Sequence, residues 1–457
     1  MKMIYGVKDK PKFPSILVFA FQQLLAIMAA TIAVPMIVNQ NTGSEMSTSA
    51  ALFGAGVGTI IYVLFTRAKS PVFLGSSFAF LGSMMTAFAG AATASLGYFA
   101  LIIGAAMAGL VYVVLAVIVK FVGVKWISKI MPAVVIGPTV AIIGLSLAGN
   151  AIGDLGATDG NFAAAESPTA LYVRIICGLV TLAVTMLCSV YGKKMGKLIP
   201  FIIGILAGYA TASCFYVVAE IANNPELKVI DYTALTSLFT EIKPESFVSV
   251  PDFTFLKAFG DFGQFDLSYL GTVAVAYIPV AFVVFAEHIA DHKNLSSIIE
   301  HDLLEDPGLS NTLLGDGVGS MAGAFFGGCP NTTYGESVGC VAITKNASVA
   351  TIIVTAVEAM VISFITPFVA FLSTIPSCVM GGVCVALYGF IAVSGLKMLQ
   401  KVDLDDNRNL FTASVILIAG VGGMVLEFGD VKITEVACAL ILGILTNVML
   451  GRKKADK

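Results

Sequence analysis

The chain alternates long apolar stretches with short polar ones. The apolar stretches approach the roughly 20 residues that an α-helix needs to cross a bilayer. They recur along the whole sequence, which is typical of an integral membrane protein and not of a soluble one. We predict an all-α polytopic protein whose fourteen spans form two sets of seven: 14–38, 49–66, 72–92, 97–119, 130–149, 170–191 and 198–218, then 269–290, 312–327, 331–344, 348–372, 377–396, 411–427 and 433–451.

Composition agrees with membrane insertion. Of the 457 residues, 57% are hydrophobic and 12% are charged, which is more apolar surface than one soluble core can bury. A soluble multidomain enzyme is therefore excluded, and the net charge of −3 indicates no nucleic-acid partner. The segment 1–14 lacks a cleavable-signal pattern, so the first apolar run is expected to remain as a span. The eight cysteines lack CxxC or zinc spacing, and neither a disulfide framework, a metal nor a cofactor is predicted.

The basic residues are distributed unequally between the two sides of the membrane. If the N-terminus is cytoplasmic, 21 of the 26 Lys and Arg residues lie on the inside and 5 on the outside. Cytoplasmic loops carry this excess of positive charge. The asymmetry supports fourteen spans with both termini inside. It also divides the chain into a first repeat (1–218), an extracytoplasmic connecting loop (219–268) and a second repeat (269–457).

The third span of each set is interrupted by polar residues, Gly and Pro. The first reads SPVFLGSSFAFLGSM (70–84), and the second reads GAFFGGCPNTTYGES (323–337). Non-helical backbone within a membrane persists only where protein buries it or where it lines a cavity. Matching interrupted spans in two halves are typical of inverted-repeat transporters with a substrate site between the repeats, and seven spans per half would make the halves inverted. Simple kinks in packed helices are the alternative, but kinks do not explain the carboxylate of Glu336.

Four glutamates lie within predicted spans: Glu287, Glu336, Glu358 and Glu435. A charged group at mid-membrane costs on the order of 3 kcal/mol, so such residues usually face a cavity or a partner. Glu358 and Glu435 have no polar sequence neighbours, and we interpret them as structural. Glu287 and Glu336 do have polar neighbours and are the candidate functional carboxylates.

Glu287 belongs to the sequence AEHIADHK (286–293). Helix positions i and i+4 share a face, so Glu287 aligns with Asp291, and His288 aligns with His292. We expect His292 to be a solvated residue at the cytoplasmic end of the helix.

Five motifs, in this order along nearly the whole chain, resemble the nucleobase:cation symporter-2 family and, within it, the bacterial members that transport uracil. They are GSSFAF (75–80), AEH (286–288), GCPNTTYGE (328–336), IPSCVMGGVCVALYGFIAVSGL (375–396) and NRNL (407–410).

The resemblance implies a fold and an activity. The fold is a seven-plus-seven inverted repeat in which spans three and ten begin as short β-strands. Spans 1–4 and 8–11 form a core domain, and spans 5–7 and 12–14 form a gate domain. The activity is proton-coupled import of a nucleobase, here uracil, by alternating access across the bacterial cell membrane. The implied partners are uracil, a proton, the lipid bilayer and a second copy of the chain in a homodimer.

The resemblance also implies the site residues. Two carboxylates and two backbone amides would bind the base, and four further residues would line or support the site. The carboxylates are Glu287 and Glu336, the amides are those of Phe78 and Gly335, and the supporting residues are Ser77, Tyr334, Ala30 and Tyr388. Uracil presents two N–H donors and two carbonyl acceptors on a flat ring, which suits carboxylate acceptors, amide donors at helix starts and an aromatic wall.

The sequence departs from the family pattern at two positions. Asp291 replaces a histidine one turn after Glu287, and His292 follows it at about 140° from Glu287 on an undistorted helix. The coupling proton is therefore assigned to a set that contains Glu287, Asp291, His292 and Glu336. Two carboxyl groups one turn apart in apolar surroundings favour sharing one proton, so we expect Asp291 to take the role of that histidine. The second departure is Ser337 in place of the usual Asn.

Three alternatives to uracil transport remain. A purine symporter of the same family usually carries Gln-Asn where this chain has Glu336 and Ser337. An anion transporter of similar fold would place Arg or Lys opposite the helix starts, whereas both interrupted motifs lack basic residues. A membrane enzyme or a receptor would need a nucleophile with its base or a metal cluster, for which three histidines are too few.

Overall fold

The computed structural model describes residues 3–123, 126, 130–156, 167–193, 195–240, 242–260, 266–428 and 431–451. Helices dominate this part of the chain, and eight helical segments are long and apolar enough to cross a membrane, one of which, Ala133–Asp154, consists of two consecutive helices. The helices of the first half are α1 (Phe13–Thr42), α2 (Thr48–Phe65), α3 (Leu81–Ala89), α4 (Ala94–Val122), α5 (Ala133–Ser146), α6 (Ala148–Asp154), α7 (Pro168–Tyr191), α8 (Met195–Leu198) and α9 (Pro200–Ala222).

Two short helices follow in the connecting segment, α10 (Thr233–Thr240) and α11 (Thr254–Ala258). The second half contains α12 (Leu267–Ile299), α13 (Leu309–Gly327), α14 (Gly335–Thr344), α15 (Val349–Ile362), α16 (Thr366–Ser373), α17 (Ser377–Leu399), α18 (Asn407–Val421) and α19 (Glu435–Leu450). The four strands are β1 (Leu74–Ser76), β2 (Asn331–Thr333), β3 (Leu426–Phe428) and β4 (Val431–Ile433).

Local sequence explains where several helices begin and end. The hydroxyls of Ser47, Thr93 and Ser348 each accept a hydrogen bond from a backbone N–H in the first turn of α2, α4 and α15. Such caps satisfy amide groups that have no partner within the helix. Gly43 and Gly328 end α1 and α13 in the left-handed region, at φ of 67° and 75°. That conformation is readily adopted by glycine.

The segment 348–372, predicted as one span, is divided in the structure into α15 and α16. The backbone N–H of Thr366 donates to Phe247 O, and the N–H of Ser249 donates to Phe364 O. Pro367 follows at the start of α16 and has no N–H to continue a helix. A continuous helix is interrupted here because a segment more than 100 residues away in the sequence takes the backbone hydrogen bonds that it would use, and the span itself stays a prediction.

The long helices pack in two groups. In one group α1, α2, α4, α12, α13 and α15 contact each other, and in the other α5, α7, α9, α17, α18 and α19 do so. Glycine allows a close approach within the first group, where a Cβ placed on Gly54 of α2 would lie 2.5 Å from the carbonyl oxygen of Gly323 in α13. The two helix backbones are therefore in direct contact at this point.

Strands β1 and β2 form an antiparallel pair between the two interrupted segments. Gly75 lies opposite Thr332, and the N–H of Ser77 donates to Pro330 O at 2.9 Å. Because the strands bond to each other, their backbone groups are satisfied within the protein. The pairing brings residues 70–84 and 323–337 together in the middle of the packed helices.

A salt bridge joins the chain before β1 to the chain before α13. Lys69 Nζ lies 2.5 Å from Asp306 Oδ1. This hydrogen bond holds the pKa of the Asp306 carboxyl below its ordinary value. The segments that lead into β1 and into α13 are thus linked by this ion pair.

Candidate substrate-binding site

The two strands lead into two helix starts that face one another. After β1, Ser77 has extended backbone at φ −81° and ψ 123°, and a short 3₁₀-helix begins at Phe78. After β2, Tyr334 has extended backbone at φ −109° and ψ 124°, and α14 begins at Gly335. The first N–H groups of a helix have no partner within it and carry partial positive charge. Each turn therefore presents amide donors at the centre of the protein.

These turns enclose a central cavity of about 30 Å³. Six of the predicted site residues line it, so the structure brings them together: Ser77, Phe78, Glu287, Tyr334, Gly335 and Glu336. The other wall comes from the second packing group, through Ile143 of α5 and Ile391 of α17.

A larger cavity of about 370 Å³ adjoins the central one and shares Glu287, Gly335 and Glu336 with it. Asp291 also lines this larger cavity, as the shared helix face with Glu287 predicts. The cavity continues to Lys197 and Asn294, whose side chains are exposed. The carboxylates thus face open space within the protein and are accessible to a small solute.

A third cavity, of about 300 Å³, lies on the other side of Phe78. Glu435 lines it together with Thr434, Asn150 and Ser146. Glu435 therefore has polar surroundings, contrary to the prediction from its sequence neighbours. Thr434 precedes it in the chain, and tertiary packing brings Asn150 and Ser146 close. The central cavity lies between the two larger ones, since it shares Phe78 with one and the glutamates with the other.

Tyr334 and Asp291 are held by specific contacts. The Tyr334 hydroxyl donates to Ser76 O at 2.6 Å, and a Cβ placed on Gly75 would lie 2.4 Å from the Tyr334 ring. Glycine at position 75 is thus required by this ring. The hydroxyl of Thr333 donates to Asp291 Oδ2 at 3.0 Å, which joins β2 to α12.

Ser337, one of the departures from the family pattern, is buried and faces away from the cavities. Its hydroxyl oxygen accepts hydrogen bonds from Gln23 Nε2 at 2.7 Å and from the N–H of Phe73 at 3.0 Å. It therefore links α14 to α1 and to the chain before β1. Gln23 was not predicted, although a buried amide side chain within the first apolar span is a signal that could have identified it.

Ala30 and Tyr388, the two remaining predicted site residues, do not line the three cavities described above. Both are buried, and the Tyr388 ring packs edge to face on Phe78 with centroids 5.8 Å apart. Tyr388 thus supports the aromatic wall from behind.

The expectation for His292 was wrong. His292 is fully buried, its Nδ1 lies 2.8 Å from His288 O, and its Nε2 lies 2.6 Å from the Tyr62 hydroxyl. Helix α12 runs to Ile299, so His292 lies in its interior and not at its end. It faces α2, away from the cavity that Glu287 and Asp291 line.

Two cavity residues escaped sequence reasoning. Asn294 lies seven positions after Glu287, which returns to within about 20° of the same helix face, so periodicity could have indicated it. Thr333 was quoted within its motif but received no role, and only the fold shows its bond to Asp291.

The charged side chains that line the central cavity are acidic. None of the described residues that line the central cavity is basic, and two of them are carboxylates. Carboxylates accept N–H donors, and the two helix starts supply amide donors for carbonyl oxygens. Together with the Phe78 ring, this arrangement suits a small planar molecule that carries both N–H groups and carbonyls.

Comparison with known proteins gives consistent matches over most of the chain. The sequence profile of the Permease family matches residues 14–428. The Uracil permease of Bacillus caldolyticus is 37% identical over 99% of this chain and 96% of its own length. The Uracil permease of Bacillus subtilis (strain 168) is 36% identical over 100% and 97%, and that of Escherichia coli (strain K12) is 33% identical over 96% and 92%.

Solved structures share the fold at low sequence identity. The transmembrane domain of the cyanobacterial bicarbonate transporter BicA matches 97% of this chain and 100% of its own, at a TM-score of 0.60 and 14% identity. The murine anion transporter Slc26a9 in its inward-facing state matches 97% of this chain and 69% of its own, at a TM-score of 0.63 and 11% identity. These likenesses concern the fold alone.

Proposed function

We propose, from the premise that this chain belongs to the Permease family, that it imports uracil across the cell membrane by proton symport. The family resemblance read from the motifs is confirmed by the profile match and by the curated relatives. Those relatives are named permeases, which are transporters and not enzymes. The chain is a multi-pass membrane protein, in keeping with its eight long apolar helical segments.

The observation that carries uracil as substrate is the convergence of Glu287 and Glu336 with the helix starts at Phe78 and Gly335 around one cavity. The carboxylates accept the two N–H groups of the base, and the amides donate to its carbonyls. The Phe78 ring covers one face of the base. The name Uracil permease of three relatives that match nearly the full chain supports the same substrate.

The proton is carried by the carboxyl groups of the cavity wall. Glu287 and Asp291 lie one helical turn apart and line the same 370 Å³ cavity, so a shared proton relieves their repulsion. Glu336 faces the same space from α14. Asp291 is the residue that replaces the family's histidine, and the buried position of His292 away from the cavity supports this choice.

The proposed architecture has fourteen spans in a seven-plus-seven inverted repeat, with both termini in the cytoplasm. The two packing groups of helices support a core domain and a gate domain that move relative to one another in alternating access. In this topology Lys197 is cytoplasmic, and the 370 Å³ cavity that reaches it faces inward. A homodimer in the bacterial cell membrane completes the proposal.

A purine and an anion are alternative substrates, and the site fits both less well than uracil. A purine would require more space and, in the family, a Gln at position 336. Anion transport shares the fold of the solved structures, but the described lining of the central cavity contains two carboxylates and no basic residue. Uracil is favoured because it is neutral and compact.

Uptake of radiolabelled uracil into proteoliposomes tests the proposal. We expect uptake that an inward proton gradient increases and that excess unlabelled uracil abolishes, with little competition by xanthine or bicarbonate. Uptake of xanthine in preference to uracil would contradict the substrate. Uracil uptake that is insensitive to the proton gradient would contradict the coupling.

Cysteine labelling tests the topology. A cysteine that replaces Lys228 in the connecting loop should react with an impermeant reagent added outside intact cells, whereas one that replaces Lys401 should not. The parent protein supplies the background from its exposed Cys214. Labelling at position 401 from outside would contradict the proposed orientation.

A further inference from the structure

We propose that His288 and Asp316 form a second proton-binding site, separate from the carboxylates of the cavity wall. The pair lies between α12 and α13, and it lines none of the described cavities. Whether it holds a proton does not depend on the transported solute, whereas its effect on uptake rests on the proposed function.

The pair is buried and closely spaced. His288 is 0% exposed and Asp316 is 2% exposed. His288 Nδ1 lies 2.6 Å from Asp316 Oδ2, and His288 Nε2 lies 3.0 Å from the hydroxyl oxygen of Thr312. Both ring nitrogens of His288 therefore face an oxygen atom.

The hydrogen-bond pattern favours a proton shared by the pair. The Thr312 hydroxyl lies 3.1 Å from Leu309 O and 3.0 Å from His288 Nε2, and when it donates to Leu309 O its oxygen accepts from His288 Nε2–H. If His288 were neutral and Asp316 ionised, the lone pair of Nδ1 would then face a carboxylate oxygen at 2.6 Å. One proton between these two atoms removes the conflict, either as an imidazolium beside a carboxylate or as a neutral ring beside a carboxylic acid.

Burial favours the same conclusion. An ionised Asp316 beside a neutral histidine would leave one negative charge among apolar helices, which is costly without a partner. Asp316 Oδ1 has no hydrogen-bond partner among the described residues, and the same is true of the nearby Tyr112 hydroxyl. With the shared proton the pair is neutral overall.

His292 differs from His288 because its hydrogen bonds to the described residues include no carboxylate. Its Nδ1 lies 2.8 Å from His288 O, and its Nε2 lies 2.6 Å from the Tyr62 hydroxyl, which donates to Ser70 Oγ at 2.7 Å. The two imidazole rings stack with centroids 4.0 Å apart, and two positive charges at that distance would repel strongly. The proton is therefore assigned to the His288 pair alone.

The titratable groups around the pair come from three helices. Tyr62 of α2 and Tyr112 of α4 face it, while Glu287 and Asp291 share α12 with His288. His288 is the neighbour of Glu287 in sequence and lies about 100° around the helix from it. Loss of the shared proton would place a negative charge beside the carboxylates that bind the base. The pair can thereby make substrate binding weaker at alkaline pH.

Infrared and NMR measurements on protein in lipid test the proton directly. We expect either a carboxylic-acid C=O band that disappears in Asp316→Asn or a His288 ring with both nitrogens protonated. Ser320→Ala, on the same helix and outside the pair, is the matched control and should change neither signal. If Asp316→Asn fails to fold, the C=O band is measured instead in wild-type protein labelled with carbon-13 aspartate. Asp291→Asn then removes the signal of the cavity carboxyl, so that the band of Asp316 can be identified. An ionised Asp316 beside a singly protonated His288 across the pH range would overturn the proposal.

Uracil binding then tests its role in transport. Asp316→Asn keeps the pair neutral without a titrating group, so its affinity at neutral pH should lie within about twofold of wild type. At alkaline pH the wild type should lose affinity more steeply than this variant. If uracil affinity depends on pH in the same way in wild type and in Asp316→Asn, the pair has no role in substrate binding. Absence of uracil binding in the wild type would instead contradict the proposed function and leave the spectroscopic result standing.

Discussion

The two strand-to-helix turns at the centre of the protein have the same backbone design but different chemistry. Ser77 and Tyr334 occupy matching extended positions after β1 and β2, and Phe78 and Gly335 begin the helices that follow. At the next position the first turn has Ala79 and the second has Glu336, and both residues line the central cavity. One turn thus contributes an aromatic wall and an amide, and the other contributes an amide and a charge.

The turns also differ in how they are anchored. In β1, the N–H of Leu74 donates to the Thr59 hydroxyl oxygen at 2.9 Å. In β2, Asn331 Nδ2 donates to Gly54 O at 3.0 Å. Helix α12 reaches both segments, since His292 contacts the first through Tyr62 and Ser70, and Asp291 contacts the second through Thr333. Helix α12 thus makes a structural contact through His292 on one face and contributes Asp291 to the cavity wall on another.

Replacing the charge of the second turn should have the largest effect. Glu336→Gln replaces a carboxylate, both of whose oxygens accept hydrogen bonds, by an amide that has one acceptor oxygen and an NH₂ donor. Loss of a charge-assisted hydrogen bond costs about 1.5–3 kcal/mol, or roughly 10- to 150-fold in uracil affinity. Calorimetric titration checks this, with Ala79→Ser at the matching position of the first turn as control. Binding within twofold of wild type in the Gln variant would show that Glu336 does not face the base.

The contact between α12 and the second turn should control accumulation. Asp291→Asn should preserve uracil binding and exchange but reduce gradient-driven accumulation, since one charge that crosses 100 mV supplies about 2.3 kcal/mol, roughly a 50-fold gradient. Counterflow and net uptake in the same proteoliposomes separate the two activities. Unchanged accumulation in this variant would mean that Glu287 or Glu336, and not Asp291, binds the coupling proton.

The anchors can be compared by stability. Asn331→Ala leaves the buried Gly54 carbonyl without its side-chain donor and should reduce the free energy of unfolding by about 1–3 kcal/mol. Thr59→Val tests the corresponding anchor of the first turn and should fall in the same range. Thermal unfolding in detergent gives both values. An Asn331 variant as stable as wild type would mean that the strand pairing alone holds β2.

The contact between α12 and the first segment should give the smallest effect. His292→Gln loses part of the bonding to Tyr62 and to His288 O, and we expect a loss of about 0.5–1.5 kcal/mol in stability. Uptake per folded molecule should remain, because His292 faces away from the cavity. A variant that folds normally but loses proton-driven accumulation would place the proton path through His292.

Periodicity and polarity located much of the candidate site. The interrupted motifs marked both turns, and the four-residue spacing placed Asp291 beside Glu287, with which it lines the 370 Å³ cavity. Sequence neighbours misled at His292 and Glu435. The charged residues after His292 suggested a helix end, but α12 continues past it. Two of the polar residues around Glu435, Asn150 and Ser146, come from other helices.

Residue types and spacing were enough to predict a protein of apolar helices, two interrupted spans and a carboxylate, that of Glu336, beside one interruption. These properties depend on residue type and spacing within one segment, which hydrophobic patterning and helix geometry control. Three contacts could be found only in the folded protein: the pairing of β1 with β2, the hydrogen bond between Gln23 and Ser337, and the contact of His288 with Asp316. Each of these contacts joins segments distant in sequence, and its partner is selected by how the helices pack together.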